Sequence, residues 1–329
     1  MNQNPTYVKP PTTHHGQCGH LLQQAKSAIP ENQHEGICVE TGGTADEEHL
    51  PDTPYPQLNP DALYGPLGEI VQKLEPVTEA DPAAMLIQLL VAFGNAVGRS
   101  AYFYAGDQRH FTNMFACIVG RTAKARKGSS LSAVCGVMGR TDPTWNRACV
   151  TSGLSSGEGL IWAVRDPIVK IDKVGKTVTD DAGISDKRLL VSETEFGNAF
   201  AVMNRDSNTL SSILRLAWDT GNLRTLTKNS PALATGAHVS IIGHITKVEL
   251  RRRMSEADFF NGFGNRFLWT CAQRSKILPE SEGIEGAGLG DLITKLHQAV
   301  AFGRQVGEME REPAASELWN HQVPTRPGW

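Results

Sequence analysis

The hydrophobic positions follow two rhythms. Four short runs dominated by apolar residues, at 114–119, 189–191, 238–245 and 267–269, have the length and the β-branched or aromatic content of buried strands. Between them, apolar residues recur at helical spacing. The clearest case is residues 82–97, where Met85, Leu89, Phe93 and Val97 form one i, i+4 row beside Leu86 and Leu90. Asp81 can cap this helix, Pro82 takes its first position and Gly98 ends it. Further helices are predicted over the second half of 60–74, which Pro76 stops, and over 131–138, 157–164, 196–203, 208–218, 247–254 and 289–300. Residues 100–104 read as a strand, and 168–178 and 187–191 flank a polar insertion at 179–186 as a β-hairpin or excursion. Helices alternating with buried strands predict an α/β fold, with a central, largely parallel sheet flanked by helices.

The first 54 residues show neither rhythm. They are rich in Pro, Gln, Asn, Thr, Gly and His, and such a segment buries too little apolar surface to offset its ordering entropy. A polar, disordered tail or linker is expected there. His14, His15, Cys18, His20, His34 and Cys38 could be imagined as zinc ligands, but a paired Cys-x-x-Cys is lacking. The organisation that follows is a tail at 1–54, a main domain at 55–276, and a C-terminal stretch at 277–329 holding one amphipathic helix and a disordered end.

Composition narrows the picture. A formal net charge of −3 excludes a generally basic nucleic-acid coat and leaves local basic patches at 121–127 and at Arg251, Arg252 and Arg253. Nothing resembles a signal peptide, and no apolar run reaches the ~20 residues that span a bilayer. Six scattered cysteines, at 18, 38, 117, 135, 149 and 271, read as reduced thiols, so a cytoplasmic protein without a membrane segment is expected.

Candidate chemistry centres on residues 120–130. An apolar strand runs into Gly120, a basic loop carrying Lys124, Arg126 and Lys127 follows, then Gly128, Ser129, Ser130 and a helix. Loop amides and a helix N-terminus suit an anion, a lysine can reach outer phosphates, and a hydroxyl can meet Mg²⁺. The ordinary pattern G-x-x-x-x-G-K-[ST] would place Ala125 at the second glycine and Arg126 at the lysine, so a solvated basic turn is the competing reading. A second stretch delivers Glu193 and Glu195 at the end of the strand over 189–191, which is how nucleotide hydrolases place a magnesium-associated acid and a water-orienting base. In an unbroken strand both carboxylates would share a face. His244 and Thr246, ending another strand, could sense a γ-phosphate, and Arg266, between a glycine turn and a strand, could reach a phosphate in its own or a neighbour's site.

Six segments, taken in order, resemble a family of P-loop proteins of bacteria, phages and plasmids. They are NPDALYGPLGEIV, TEADPAAMLIQLLVAFGNAVGR, RHFTNMFACIVGRTAKARKGSS, SETEFGNAFAVM, LRLAWDTGNLRTLTKNSPALATGAHVSIIGHIT and NGFGNRFLW. The family occurs beside, or fused to, primase–polymerase domains and is described as helicase-like or primase–helicase-associated. The similarity spans about residues 55–276. It implies a RecA-like P-loop NTPase core, binding of ATP and Mg²⁺, ATP hydrolysis, and a homo-oligomeric, ring-forming replication motor. Single-stranded DNA or a primase or other replication protein would be its partner.

Carried over by resemblance, Lys127 is the phosphate-binding lysine and Ser129 or Ser130 the magnesium hydroxyl. Glu193, with Ser129, stands nearest the nucleotide's Mg²⁺, and Glu193 and Glu195 form the second acidic motif. His244 and Thr246 lie on the sensor strand, and Arg266 is the arginine finger. The loop departs from the ordinary pattern as R-K-G-[ST]-S, which leaves the choice of serine open. Glu-Thr-Glu replaces the usual Asp-Glu, which leaves the roles of the two acids open. Two rivals follow: a nucleotide- or DNA-binding accessory module without turnover, and a shortened, inactive remnant.

Overall fold

A computed structural model describes residues 55–121, 126–226, 232–254, 261–280 and 283–322. The tail at 1–54 with its histidines and cysteines, Lys124 and residues 323–329 lie outside the described residues.

After a 3-10 turn at Pro60–Ala62, helix α1 (Gly65–Leu74) leads to α2 (Pro82–Val97). The Asp81 carboxylate accepts the Ala83 amide at 2.9 Å, satisfying one of the donors a helix start leaves unpaired. Gly98, at φ 86, closes the helix in a conformation that disfavours side chains. A hairpin of β1 (Tyr102–Ala105) and β2 (Gln108–Phe111) follows.

The core begins at β3 (Phe115–Gly120), then α3 (Lys127–Thr141), α4 (Pro143–Cys149), β4 (Val150–Thr151) and α5 (Gly157–Ala163). Helix α3 starts four residues before the apolar pattern at 131, because its first turn, Lys127-Gly128-Ser129-Ser130, is polar. A second hairpin, β5 (Ile168–Ile171) and β6 (Thr177–Asp181), turns at 172–176 and not across 179–186. Asp172 Oδ1 accepts the amides of Val174 and Lys176, each at 2.9 Å, and Gly175 takes φ 84, so an Asx-type turn interrupts the run earlier than its apolar content suggests.

The chain continues through β7 (Arg188–Glu193), α6 (Phe196–Met203), α7 (Leu210–Asp219), the short pair β8 (Leu223–Arg224) and β9 (Leu233–Ala234), β10 (His238–Thr246) and α8 (Lys247–Arg253). It ends with β11 (Phe267–Ala272), α9 (Gly283–Gly286), α10 (Gly290–Gly303) and α11 (Pro313–Gln322), the last absent from the sequence-based expectation.

Five strands form one sheet in the order β11-β3-β10-β7-β4, every pairing parallel. Both faces are covered, which is why β3 and β10 read as near-continuous apolar runs and not as alternation. One face packs Ala116, Leu190 and Ile242 against α1, α2, α3, α4 and α10, with Trp145 and Met138 fully buried. The other packs Phe115, Val191, Ile241 and Ile245 against α5, α6 and α7. Leu292, Leu296 and Val300 of α10 belong to the first of these cores, so the described residues of the C-terminal stretch up to Val300 pack with the main domain.

This winding has a consequence for ligands. From β3 the chain crosses one face to the far edge at β4, then works back through β7 and β10 by way of helices on the other face. The reversal lies between β3 and β10, and in an open parallel sheet the crevice at the carboxyl ends of such strands is where ligands bind. No described helix is long and apolar enough to cross a membrane.

Candidate functional site at the carboxyl end of the sheet

Gly120, Thr246 and Ala272 lie in register at the carboxyl ends of three adjacent strands. Beyond Gly120 the loop returns at Arg126, whose φ 51, ψ 28 is left-handed. For a side-chain-bearing residue this costs about 1–2 kcal/mol, and glycine is the usual occupant. The ordinary phosphate-loop pattern also has glycine immediately before its lysine. Lys127 therefore stands where that lysine stands, in a loop one residue longer than the pattern.

Lys127 is the first residue of α3, so the opening amides of the helix, which lack intrahelical acceptors, surround it. Its side chain is half-buried. Burial pulls its pKa down, while the carboxylates of Glu249 and Glu195 oppose that pull. The lysine thus faces the crevice between β3 and β10.

The two serines part company. Ser130 is fully buried: its hydroxyl donates to the Lys127 carbonyl at 2.7 Å and accepts from Gln88 Nε2 at 2.8 Å. Gln88 Nε2 also donates to Ala84 O at 2.8 Å, which fixes the amide orientation and leaves its Oε1 facing His244 Nε2 at 3.0 Å. An amide oxygen only accepts, so His244 carries its proton on Nε2. Three elements, α2, the first turn of α3 with its Lys127 carbonyl, and β10, are thus joined by side chains in an otherwise apolar core. Ser129, by contrast, is exposed on the first turn of α3.

His244 is therefore not turned to the mouth of the crevice. It is 2% exposed, and burial, helped by the charge of Lys127, lowers its pKa to about 4. Thr246 is likewise occupied, as the N-cap of α8: its hydroxyl accepts the Glu249 amide at 3.1 Å and donates to Glu249 Oε2 at 2.9 Å. This capping box sets Glu249 beside Lys127. The sequence carried the signal in Thr246-Lys247-Val248-Glu249, a spacing that marks a helix start and its reciprocal carboxylate.

Glu193 and Glu195 do not share a strand face. Strand β7 ends at Glu193, and Glu195 is the residue preceding α6, exposed and out of the ladder. Glu193 pairs in register with Gly243, three residues before Thr246, and its Oε1 accepts the amides of Gly153 and, at 2.8 Å, Leu154. It ties down the loop leaving β4. Gly243 itself admits the Phe196 ring: a Cβ there would lie 2.7 Å from it, so glycine lets α6 sit close against β10.

Arg266 lies at the opposite end of the sheet. It precedes β11, whose first residue Phe267 pairs with Phe115. Its Nε and Nη2 grip both oxygens of Asp219, at 3.0 and 2.6 Å, and Nη1 donates to Gly262 O at 2.6 Å. Six strand positions, or about 20 Å, separate it from the Lys127 end of the sheet, so it does not reach the candidate site of its own chain as an arginine finger. Arg266→Ala should cost about 1–2 kcal/mol in a urea titration by stranding Asp219, with nucleotide affinity unchanged. A loss of affinity with unchanged stability would reverse that assignment. An open cleft of about 700 Å³ lies at this same end, lined by Arg99, Asp107, Arg109, Phe111, Asp219 and Thr220 among others. Arg99 is already spent there, on Ala237 O, Thr220 O and the face of Phe111.

Two residues at the carboxyl end escaped the sequence reading, Glu79, which lies before α2, and Arg274, just past β11; Glu79 is reached by both Arg274 and Arg126. No local pattern announces them, because the partners are far apart in the chain. No protein-family model and no curated protein matches the chain.

Proposed function

We propose that the chain is a RecA-like P-loop protein that binds and hydrolyses ATP, as a helicase-like or primase-associated motor in the replication of a mobile element. The observation that carries this reading is Lys127. It opens α3 directly behind the carboxyl end of β3, preceded by a left-handed residue and faced by Glu249 and Glu195 across the crevice at the sheet's reversal point. A ring-forming homo-oligomer acting on single-stranded DNA or beside a replication protein belongs to the same reading and rests on the resemblance alone, and a cytoplasmic location rests on the scattered cysteines.

The donor set suits Mg·ATP. Among the described residues no cluster of three His, Cys, Asp or Glu forms a metal cage. A phosphate-bound Mg²⁺ needs none, since one or two side chains, waters and phosphate oxygens complete its shell. Ser129 supplies the exposed hydroxyl, because Ser130 is committed to Gln88 and the Lys127 carbonyl. Bound there, Mg²⁺ would offset charge on the phosphate oxygens. Lys127 and the first amides of α3 hold the phosphates; Glu195, exposed at the crevice, is the group placed to orient an attacking water, while Glu193 holds the neighbouring loop.

The test is ATP binding and phosphate release, with and without single-stranded DNA. Lys127→Ala should weaken ATP binding by about tenfold or more, the worth of one charge-assisted contact, and abolish release. Wild-type protein that binds no ATP would refute the reading. The commitment of Glu193 to loop amides favours one rival, a nucleotide-binding accessory module. Glu195→Gln decides between them: slowed release with retained binding supports the ATPase, and ATP bound by the wild type without any release supports the accessory module.

A further inference from the structure

Glu79 holds more positive charge than it needs. Its side chain is 10% exposed, its Oε2 lies 2.6 Å from Arg126 Nε, and its Oε1 takes both Arg274 Nη2 and, at 2.8 Å, the Leu278 amide. The hydrogen bond from Arg274, then the Leu278 amide and the charges of the two guanidinium groups, hold its carboxyl at about 2, so it is ionised at any working pH. One carboxylate with two arginines leaves a surplus positive charge. That surplus sits on the residue immediately before Lys127, at the N-terminus of α3.

The two arginines differ. Arg274 belongs to a segment that Glu75 and Glu79 clasp in other ways: Ser275 N donates to Glu79 O at 3.1 Å, and Lys276 Nζ donates to Glu75 O at 2.9 Å and pairs with the Glu75 carboxylate. Arg126 has 44% of its side chain exposed, and Glu79 is its one ion-pair partner among the described residues. It can leave without stranding the carboxylate.

On the reading of Gly120 and residues 126–130 as a phosphate site, we propose that Glu79 is a built-in competitor for phosphate. It stores Arg126 beside the helix N-terminus until a phosphoryl group draws Arg126 away, while Arg274 keeps Glu79 paired. Arg126 Nε and the two other guanidinium nitrogens match phosphate oxygens as well as they match a carboxylate, so the exchange trades like for like.

Calorimetric titration with MgADP tests this in the full chain. Glu79→Gln removes the competitor and should tighten MgADP binding about fivefold or more, the size of an ordinary coupling between two equilibria. Arg126→Ala should weaken it, and Glu79→Gln on that background should give no gain. A Glu79 that only braces the fold predicts the opposite sign, with weaker binding in Glu79→Gln. Hydrogen exchange on the wild type gives a readout independent of that variant's folding. MgADP should slow exchange at residues 127–131 and leave Ser275 and Leu278 as protected as before, since Arg274 keeps Glu79 paired; faster exchange at Ser275 and Leu278 would show that clasp lost with Arg126 and overturn the proposal. Wild-type protein that binds no MgADP overturns the phosphate site and this inference together. Binding that Lys127→Ala abolishes but Glu79→Gln does not tighten overturns the competitor alone.

Discussion

Between pH 6.5 and 4 the protein should lose several kcal/mol of stability, through two histidines that the fold keeps neutral. His238 and His244 are 1% and 2% exposed, and burial takes each from 6.5 to a pKa of about 4. At His238 the Gly94 carbonyl, 3.1 Å from Nε2, opposes the shift, and the charges of Arg99 and Arg188 assist it. That carbonyl only accepts, so the proton is on Nε2, and Nδ1 is buried without a partner. A second proton would add a donor with nothing to receive it.

The sign follows from where protons bind. Across this window the unfolded chain takes up protons that the native state refuses, so stability is complete above pH 6.5 and falls as pH drops to about 4. A depression of this size is worth about 3 kcal/mol per histidine, against a typical total of about 5–15 kcal/mol. The carboxylates act elsewhere: Asp186 and Glu79, both held at about 2, withdraw their stabilisation only as pH falls below the ordinary carboxylate range. Urea midpoints measured at half-unit intervals separate the two windows. His244→Gln, which keeps a donor toward Gln88, should remove about half of the upper slope. A flat profile from pH 6.5 to 4.5 would show that these histidines protonate freely in the native state.

That same interior marks where the sequence was readable and where it was not. Strand β10 is legible over its whole length because it is apolar on both faces and ends in a capping box. Helix α2 is legible because Asp81, Pro82 and Gly98 punctuate it. The candidate anion site was half legible: the basic residues and serines are visible as a string, but only the structure shows a left-handed backbone at Arg126, immediately before Lys127 opens α3. Glu193 and Glu195 misled because a period of two holds only while the strand continues, and it stops at Glu193. Gln88, His244 and Ser130, like Glu79, Arg126 and Arg274, meet only after the helices pack on the sheet. Gln88 and His244 lie 156 positions apart, and Glu79 and Arg274 lie 195 apart. In the sequence Gln88 is one polar residue in an apolar helix, with nothing to distinguish it from a solvent-facing position.

Gln88→Leu should therefore have a cost out of proportion to its conservative volume. The substitution withdraws an acceptor from His244 Nε2–H and a donor from Ser130 Oγ, and restores neither, at a site with no access to water. A buried donor left unpaired costs about 1–3 kcal/mol, and the second broken contact brings the expected loss to about 2–4 kcal/mol in urea titrations. Filling a gap with a methyl group does not offset this, because Leu presents no partner to either atom. The effect should also reach the ligand site. Ser130 reaches the Lys127 carbonyl through the hydroxyl that Gln88 orients, so the first turn of α3 loses its brace and nucleotide affinity should fall severalfold, with the stoichiometry of binding intact. Ser130→Ala removes the same brace but spares the Gln88–His244 contact, so it should match Gln88→Leu in affinity and cost less stability. Combined, the two should be well short of additive, since both break one network. Additive losses would mean that Gln88 and Ser130 act separately. An affinity unchanged in both would mean that Lys127 holds its position without them.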